Sequence, residues 1–529
     1  MRRLEELPGN KETILRFIEE NKKLWKPIEH KVDTIYVNLS MVRLQFGWII
    51  PKLVYAKGLE EETKAKVVVL TWRENPLFTQ VVESFGFHHI SIDSLNRKSF
   101  ISFIKAFLKT MKCILLDGNG ENLKRLKASG INVGKNLYED ILRTSSLSTI
   151  TSTRNIVCMK KVMHLIWTFY SIEKQILKDK PAYLICDDLA YHEGMLIKLF
   201  YKYGASICNV SSEGEEIITV KSNGDILTRS EQKSHLFASK IDQLDESSII
   251  WSEKYLVERY AGKNGRNIDR GAFKDKQILT REEAQEKYGL DVSKKNIIIM
   301  AHTFTDAVFN YGDLFYRDYY EWTEQTLKFA SKNGKVNWIL KPHPTRGAYN
   351  ESIDSIEKMY ERNKKPNIFL LSDDVSAESI KNIADVIVTI GGNAGIEFAC
   401  EGIPAVIIGK PYYQGFGFTI EPRNKEEYEK CLSKIEQIAP LDNEQVKKAK
   451  KIFYLNYSPS EVCFSDEFGK LISREYGNMT DTIALKYFAS NEGTDYYNTK
   501  LIEIITSYII SHNMTKCEYF IHGKLHGRS

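Results

Sequence analysis

Asp385-Val386-Ile387-Val388-Thr389-Ile390-Gly391-Gly392-Asn393-Ala394-Gly395-Ile396-Glu397 is the stretch on which the fold turns. An apolar, β-branched run passes through two glycines into residues that suit a helix, the opening of a strand–helix–strand unit. The same alternation continues on both sides. Upstream, strands are expected at Asn296 to Ala301, Asn337 to Leu340 and Asn367 to Leu371, and downstream at Pro404 to Ile408. Helical patterns separate most of them, and Lys425 to Phe453 reads as mainly helical. Thr280-Arg281-Glu282-Glu283 fits a capping box, with Gly289 placed to end the helix it starts.

The earlier part of the chain has a similar rhythm. Residues 10 to 24 form an amphipathic helical pattern through Ile14, Phe17, Ile18 and Leu24. Short β-rich runs follow at Thr34 to Leu39, Lys66 to Thr71, Cys113 to Leu116, Ala182 to Cys186 and Ala205 to Val210. Helices are expected over Phe100 to Thr110 and Met159 to Lys178. Ser222-Asn223-Gly224-Asp225 is a hairpin signal. The latter part of the polar region Ser230 to Arg270 reads as an interdomain connection. The fold class is therefore α/β, with two Rossmann-like doubly wound domains facing a cleft. The expected bounds are an N-terminal helix over 1–30, a first domain with linker over 31–270, a second domain over 271–455 and a helical extension over 456–529.

Bulk properties narrow the function. The 529 residues are 43% hydrophobic and 27% charged, the balance of a globular chain. The net charge is +5 and basic residues are not concentrated with aromatics, so nucleic acid is not an expected partner. A mixed surface of this kind is compatible with loose attraction to anionic lipid or substrate and demonstrates neither. Eight cysteines include no CxxC pair, so structural zinc has no support and buried thiols in a reducing compartment are expected. After Met1-Arg2-Arg3 the chain turns acidic and polar, so no signal peptide is expected. No apolar run approaches the ~18 residues of a membrane span. GxxxxGK[ST], HExxH and GxSxG motifs are absent.

Ligands in doubly wound sheets bind beyond the carboxyl ends of the strands. In the Gly391 to Glu397 segment, Gly391 and Gly392 would let backbone approach a ligand. Asn393 can cap the helix, whose N-terminus suits a phosphate. Glu397, about one turn into the helix, can accept from two ribose hydroxyls, and the neighbouring Ile396, Ala399 and Cys400 relieve it of any core role. Lys341-Pro342-His343-Pro344 ends another strand. Its prolines stiffen a loop that aims Lys341 at phosphate charge and His343 at a leaving phosphate oxygen. His302 and Asp306, in Ala301-His302-Thr303-Phe304-Thr305-Asp306-Ala307, end a third strand, where a cleft-facing role and a packing role weigh equally. In the first domain Asp117, after Leu116, and Asp188, after Cys186-Asp187, are candidate bases, although a helix-cap or turn role is favoured for each. Tyr191-His192-Glu193-Gly194 and Gly134 to Asp140 with Arg143 are further polar clusters.

These segments resemble the capsule polysaccharide biosynthesis proteins, a GT-B group that includes bacterial Kdo transferases. The similarity runs through the second domain, continuing into Gly402-Ile403-Pro404-Ala405-Val406 and Gly409-Lys410-Pro411-Tyr412-Tyr413-Gln414-Gly415-Phe416-Gly417. It is thinner in the first, at Ile131-Asn132-Val133-Gly134 with Tyr138, Asp140 and Arg143, and at Asp188 with Tyr191 and Gly194. The resemblance implies a GT-B fold and cytoplasmic work at the inner face of a bacterial membrane, in contact with other polysaccharide-assembly proteins. It implies a glycosyltransferase that moves a sugar from a nucleotide-sugar donor to a lipid-linked or oligosaccharide acceptor. The His-Pro pair is similar to that of transferases using CMP-activated acidic sugars, which suggests a donor such as CMP-Kdo without fixing it. Lys341, His343 and the Gly391-Gly392 backbone would stabilise the leaving phosphate, Glu397 would hold the ribose, and Asp117 or Asp188 would deprotonate the acceptor. No metal or other cofactor is required by that scheme. Two alternatives stay open: a nucleotide-sugar epimerase of the same fold, and a non-catalytic carbohydrate-binding component of the assembly machinery.

Overall fold

The computed structural model describes residues 10–25, 27–40, 46–116, 120–186, 188–211, 214–217, 226, 228–263, 272–273, 275–344, 346, 354–458 and 503. The chain forms two compact α/β units. The first takes in the residues up to Tyr138 together with Ser152–Ile226. The second takes in Glu139–Thr151 and Leu227–Ser458.

In the first unit, parallel strands β1 (Asp33–Asn38), β2 (Lys66–Thr71) and β3 (His88–Ser91) are followed by a small antiparallel ribbon, β4 (Lys127–Ala128) with β5 (Ile131–Asn132). Next come β6 (Lys180–Cys186), β7 (Ser206–Ser211) and β8 (Gly214–Ile217), and the sheet order is β3-β2-β1-β6-β7-β8. Only β8 runs antiparallel. The opening helix Lys11–Leu24 is not an appendage: its Ile14, Phe17 and Ile18 lie in the same core as Ile35, Val67 and Phe85.

The second sheet is wholly parallel. It comprises β9 (Asn296–Met300), β10 (Asn337–Lys341), β11 (Ile368–Leu370), β12 (Val386–Thr389), β13 (Ala405–Ile407) and β14 (Thr419–Ile420), in the order β11-β10-β9-β12-β13-β14. Every residue of β10, β12 and β13 is buried. That is why these strands read as continuous apolar runs: helices cover both faces of a parallel sheet. In both units the chain winds outward from a central strand on one side and then on the other, so each is a Rossmann-like doubly wound domain.

Three expectations change. Cys113 to Leu116 is the last turn of the helix Phe100–Leu116, not a strand. Four apolar residues in a row fit either element, and the helical period running up to them wins. Asp117 therefore follows a helix rather than a strand, and it lies outside the described residues with Gly118 and Asn119. The polar region from Ser230, expected in the first domain with its linker, belongs to the second unit. It holds the helices Arg229–Lys240 and Glu246–Tyr260, which join the second unit by packing on the helix Asn443–Tyr457. Ser252 Oγ donates to Lys450 O at 2.8 Å, Lys233 Nζ to Asn456 Oδ1 at 2.9 Å, and Trp251 meets Tyr454 edge-on. The Ser222 to Asp225 hairpin signal, most of the expected connection over 264–270, and nearly all of 459–529 lie outside the described residues.

The capping box forms as expected. Thr280 Oγ1 accepts from Glu283 N, the Glu283 carboxylate accepts from Thr280 N at 2.8 Å, and Gly289 closes the helix at φ +68°. Thr280→Ala is expected to lower the unfolding free energy of this unit by about 1 kcal/mol, the usual cost of a lost N-cap. Urea denaturation followed by circular dichroism reads it directly, and an unchanged midpoint would mean the cap contributes nothing.

Candidate functional site at the switch point of the second sheet

The order of the second sheet reverses at β9, which lies between β10 and β12. Crevices at such reversals, beyond the carboxyl ends of the strands, are where doubly wound sheets bind ligands. Three of the expected segments converge there: Lys341-Pro342-His343 leaves β10, Ala301-His302-Thr303 leaves β9, and Ile390-Gly391-Gly392 leaves β12. They are hydrogen-bonded to each other as well as adjacent. Ala301 N donates to Lys341 O at 3.1 Å, and His302 Nε2 lies 3.3 Å from Thr389 Oγ1.

His302 sits between the rings of Tyr311 and Tyr319, with centroids 5.6 and 4.9 Å away. Burial pushes its pKa down to about 3, and a charge on His343 opposes protonation further. The imidazole is therefore neutral near pH 7, and the two histidines are electrostatically coupled. Asp306 begins the turns that follow, where its N–H donates to Thr303 O. The loop is held from outside by Glu139, whose Oε1 accepts from Phe309 N at 2.7 Å.

The glycines have a packing reason beside the one expected. A Cβ on Gly391 would sit 2.9 Å from the Tyr311 ring, one on Gly409 2.8 Å from Tyr311 Cβ, and one on Gly395 2.3 Å from Tyr413 Oη. These glycines make room for aromatic rings that clasp the loop. Tyr413 Oη donates to Gly392 O at 2.6 Å, and Lys410 N donates to Tyr311 O at 2.8 Å. Asn393 does not cap: its backbone is already helical and its side chain makes no capping hydrogen bond. The helix Ala394–Ala399 is six residues long.

Glu397 departs furthest from expectation. It is buried, and its Oε1 accepts from Arg259 Nε at 2.9 Å and Nη2 at 2.7 Å. Arg259 comes from the helix Glu246–Tyr260, so the carboxylate ties that helix to the glycine loop. It has a structural charge partner and is not the spare surface group that the apolar spacing suggested.

Lys341 is buried and donates to the carbonyls of Ser372 and Val375, each at 3.2 Å. Burial first, and then the charge of Lys276, bring its pKa down to about 8. Arg346 is a site residue that the sequence reading missed. Its backbone N–H and Nη1 both donate to His343 O, at 3.2 and 3.3 Å, and its guanidinium also pairs with Asp373 and Glu357. It thereby fixes the turn that presents His343. Arg346 lies just beyond Pro344-Thr345, and that position was the available signal.

The first sheet has its own reversal, between β1 and β6, and a polar cluster lies there. Ser40 Oγ is 2.9 Å from His192 Nε2, Asn38 Nδ2 donates to Glu193 Oε1 at 3.0 Å, and Trp72 packs against both His164 and His192. Asp188 Oδ1 accepts from the N–H groups of Leu189 and Ala190, and Asp188 N donates to Glu193 Oε2. Tyr191, which opens the next helix, holds a left-handed φ of +55°, a strain that tends to mark functional turns. Asn136 and Gly194 have a packing role: a Cβ on Gly194 would meet Asn136 Nδ2 at 2.2 Å, and Lys198 Nζ donates to Asn136 Oδ1. Among the described residues no group of three or more His, Cys, Asp or Glu is placed to hold a metal ion.

Residues 259–456 match the model of the capsule polysaccharide biosynthesis proteins. This stretch is similar to that family. It covers the glycine loop, the His-Pro turn, His302 and the Arg259–Glu397 pair. The sequence matches none of the curated proteins. Among solved structures, the chain is similar to the KpsC β-Kdo 2,7 transferase of Thermosulfurimonas dismutans, at 13% identity over 54% of this chain and 80% of that one, TM-score 0.30. It is similar to the β-Kdo 2,4 transferase of the same KpsC at 11% identity over 54% and 86%, TM-score 0.33. The UDP-GlcNAc 2-epimerase of Methanocaldococcus jannaschii, solved with UDP-GlcNAc and UDP, aligns at 12% identity over 79% and 98%, TM-score 0.26. At TM-scores this low these likenesses carry no argument about what the chain does.

Glu397→Gln leaves the buried Arg259 guanidinium facing a neutral amide. Breaking a buried pair from one side typically costs 3–5 kcal/mol, and retention of a hydrogen-bonding amide places the expected loss at about 2–4 kcal/mol. Chemical denaturation of the variant is the measurement. A loss below about 0.5 kcal/mol, the usual range for a surface change, would mean that the pair has no structural role.

Proposed function

We propose that this chain is a glycosyltransferase of bacterial capsule or surface polysaccharide assembly that draws its sugar from a nucleotide-activated donor. One observation carries the reading: within the family-matched stretch, two histidines, a lysine and a glycine turn meet at the switch point of a doubly wound sheet. The donor phosphate would lie across the Gly391-Gly392 backbone and the His343 turn. His343 would donate to the phosphate oxygen as the sugar departs, and Lys341 and its basic neighbours would supply a positive field at short range. In this scheme protein groups provide the positive charge, with no metal ion. The neutral His302 would hydrogen-bond without adding charge. Glu397 would act on the ribose only by keeping the loop in place through Arg259. Of the first unit's groups, Asp188 and His192 at its own switch point are the candidates for accepting the proton of an acceptor hydroxyl. The donor is read as a CMP-sugar such as CMP-Kdo, and the site of action as the inner face of the cytoplasmic membrane. Among the described residues, no helix is long and apolar enough to cross it.

The test is incubation of pure protein with a panel of nucleotide sugars and oligosaccharide acceptors, with mass spectrometry of released nucleotide and product. Acceptor-dependent release of CMP is expected. Turnover without acceptor would favour the epimerase reading, and nucleotide binding without turnover the non-catalytic one. In the same assay, His343→Ala is expected to lower kcat by ~10²-fold or more, the usual contribution of a positioned acid, with the thermal midpoint unchanged. If activity is lost only in step with unfolding, His343 has no catalytic role.

Lys341 adds a pH dependence. Its folded pKa of about 8 lies below the ordinary 10.5, so the ammonium loses its proton as pH rises through 8. Donor affinity should therefore weaken between pH 7 and 9, when calorimetric titration is made in buffers of matched ionic strength. Lys341→Gln should flatten that slope. An identical slope in the variant would remove Lys341 from phosphate recognition. The sign for stability is opposite: burial of the ammonium is unfavourable below about pH 8 and is relieved as pH rises from there toward 10.5.

A further inference from the structure

The helix Phe100–Leu116 in the first unit is amphipathic the wrong way round for a soluble packing helix. Its inward positions are small or polar: Ser102, Ala106, Thr110 and Cys113 are the ones buried with Ile114. They rest on the helix Ile156–Ile176, with Thr110 beside Met163 and Phe103 edge-on to Trp167. The large apolar residues point away. Phe100 is 72% exposed, Leu108 63% and Leu115 70%, and Ile101, Ile104, Phe107 and Leu116 are exposed with them. At 100° per residue, Phe107, Phe100, Met111, Ile104, Leu115, Leu108 and Ile101 fall in that order along one continuous face, and the buried Ile114 separates it from Phe103. Exposed patches of this kind mark an interaction surface, because single surface leucines are ordinary but a contiguous stripe is not.

The charge beside the stripe identifies the partner. Lys112 and Lys105 fall next in angular order along one flank, with the exposed Leu116 between them and Lys109, and the helix contains no acidic residue. The antiparallel packing brings the start of the neighbouring helix beside the end of this one, where Ile156 and Val157 are also exposed and Lys160 and Lys161 follow. Aromatic and aliphatic residues on one face with lysines along its edge are what an interfacial helix needs to lie in an anionic bilayer surface. An antiparallel pairing with a second copy would set the two lysine rows on the same side of the seam.

We infer that Phe100–Leu116 is a membrane-docking helix, with its apolar face seated among the acyl chains and Lys105, Lys109 and Lys112 at the anionic headgroups. The inference rests on the first unit alone and does not depend on what the second unit transfers. The experiment is flotation of the full chain with vesicles of phosphatidylcholine, alone or mixed with phosphatidylglycerol. The wild type is expected to float with the mixed vesicles and to dissociate as salt is raised. Ile104→Glu with Leu108→Glu should abolish flotation. Lys105→Gln, Lys109→Gln and Lys112→Gln together should weaken it on the order of a hundredfold, from about fivefold for each lysine. All substituted positions except the half-buried Lys109 are exposed, so thermal midpoints should not move, and nucleotide binding, titrated in parallel, keeps this question separate from the transferase reading. Wild-type protein that stays with the soluble fraction, or glutamate variants that float as well as wild type, would overturn the inference. Concentration-dependent self-association that the same glutamates abolish, without flotation, would overturn it in favour of a second copy.

Discussion

Parallel pairing of β9 with β10 on one side and β12 on the other is the constraint from which the candidate site follows. Because all three strands run the same way, their carboxyl ends open at one edge of the sheet. Because the winding reverses at β9, no helix crosses above that edge at the reversal. Chain that leaves these strands must therefore form loops there, and the loops carry His302, the His343 turn and the Gly391-Gly392 turn. The opposite edge is closed by a polar lattice: Asn296 donates to Asp385 and Ile383 O, Asn337 donates to Asn296, and Arg281 pairs with Asp385. One edge is committed to holding strands in register, which leaves the other for chemistry.

Much of this was legible in the sequence for a simple physical reason. Strands buried on both faces are apolar throughout, so β9, β10, β12 and β13 announced themselves, and the Thr280 cap is a local pattern with a local cause. Side-chain roles were less legible because their partners are remote in sequence. Glu397 meets Arg259, 138 residues earlier, and spacing within its own helix carried no sign of it. Gly391 is legible as a site of close approach, but the body beside it is the Tyr311 ring, and nothing local marks Gly395 as the place where Tyr413 fits. Cys113 to Leu116 suits a strand as well as a helix end, because four apolar residues contain too little period to tell the two elements apart. At the first sheet's switch point, Asp188 was noticed and the Ser40–His192 contact was not, since it joins positions 152 residues apart.

The two switch points differ in character. The second is aromatic and cationic, with the His302 imidazole kept neutral by enclosure and the pKa of Lys341 lowered by burial. At the first, Asp188 and Glu193 are tied to backbone N–H groups and amides beside His192 and Trp72.

The Arg259–Glu397 pair also shapes how the chain can change. Either residue replaced alone leaves a charge buried opposite nothing suitable, whereas both replaced together by well-packed apolar groups can be close to neutral. Drift at these positions is therefore expected to occur in tandem, and the helix Glu246–Tyr260, though far from the carboxyl edge in sequence, inherits the evolutionary tempo of the glycine turn.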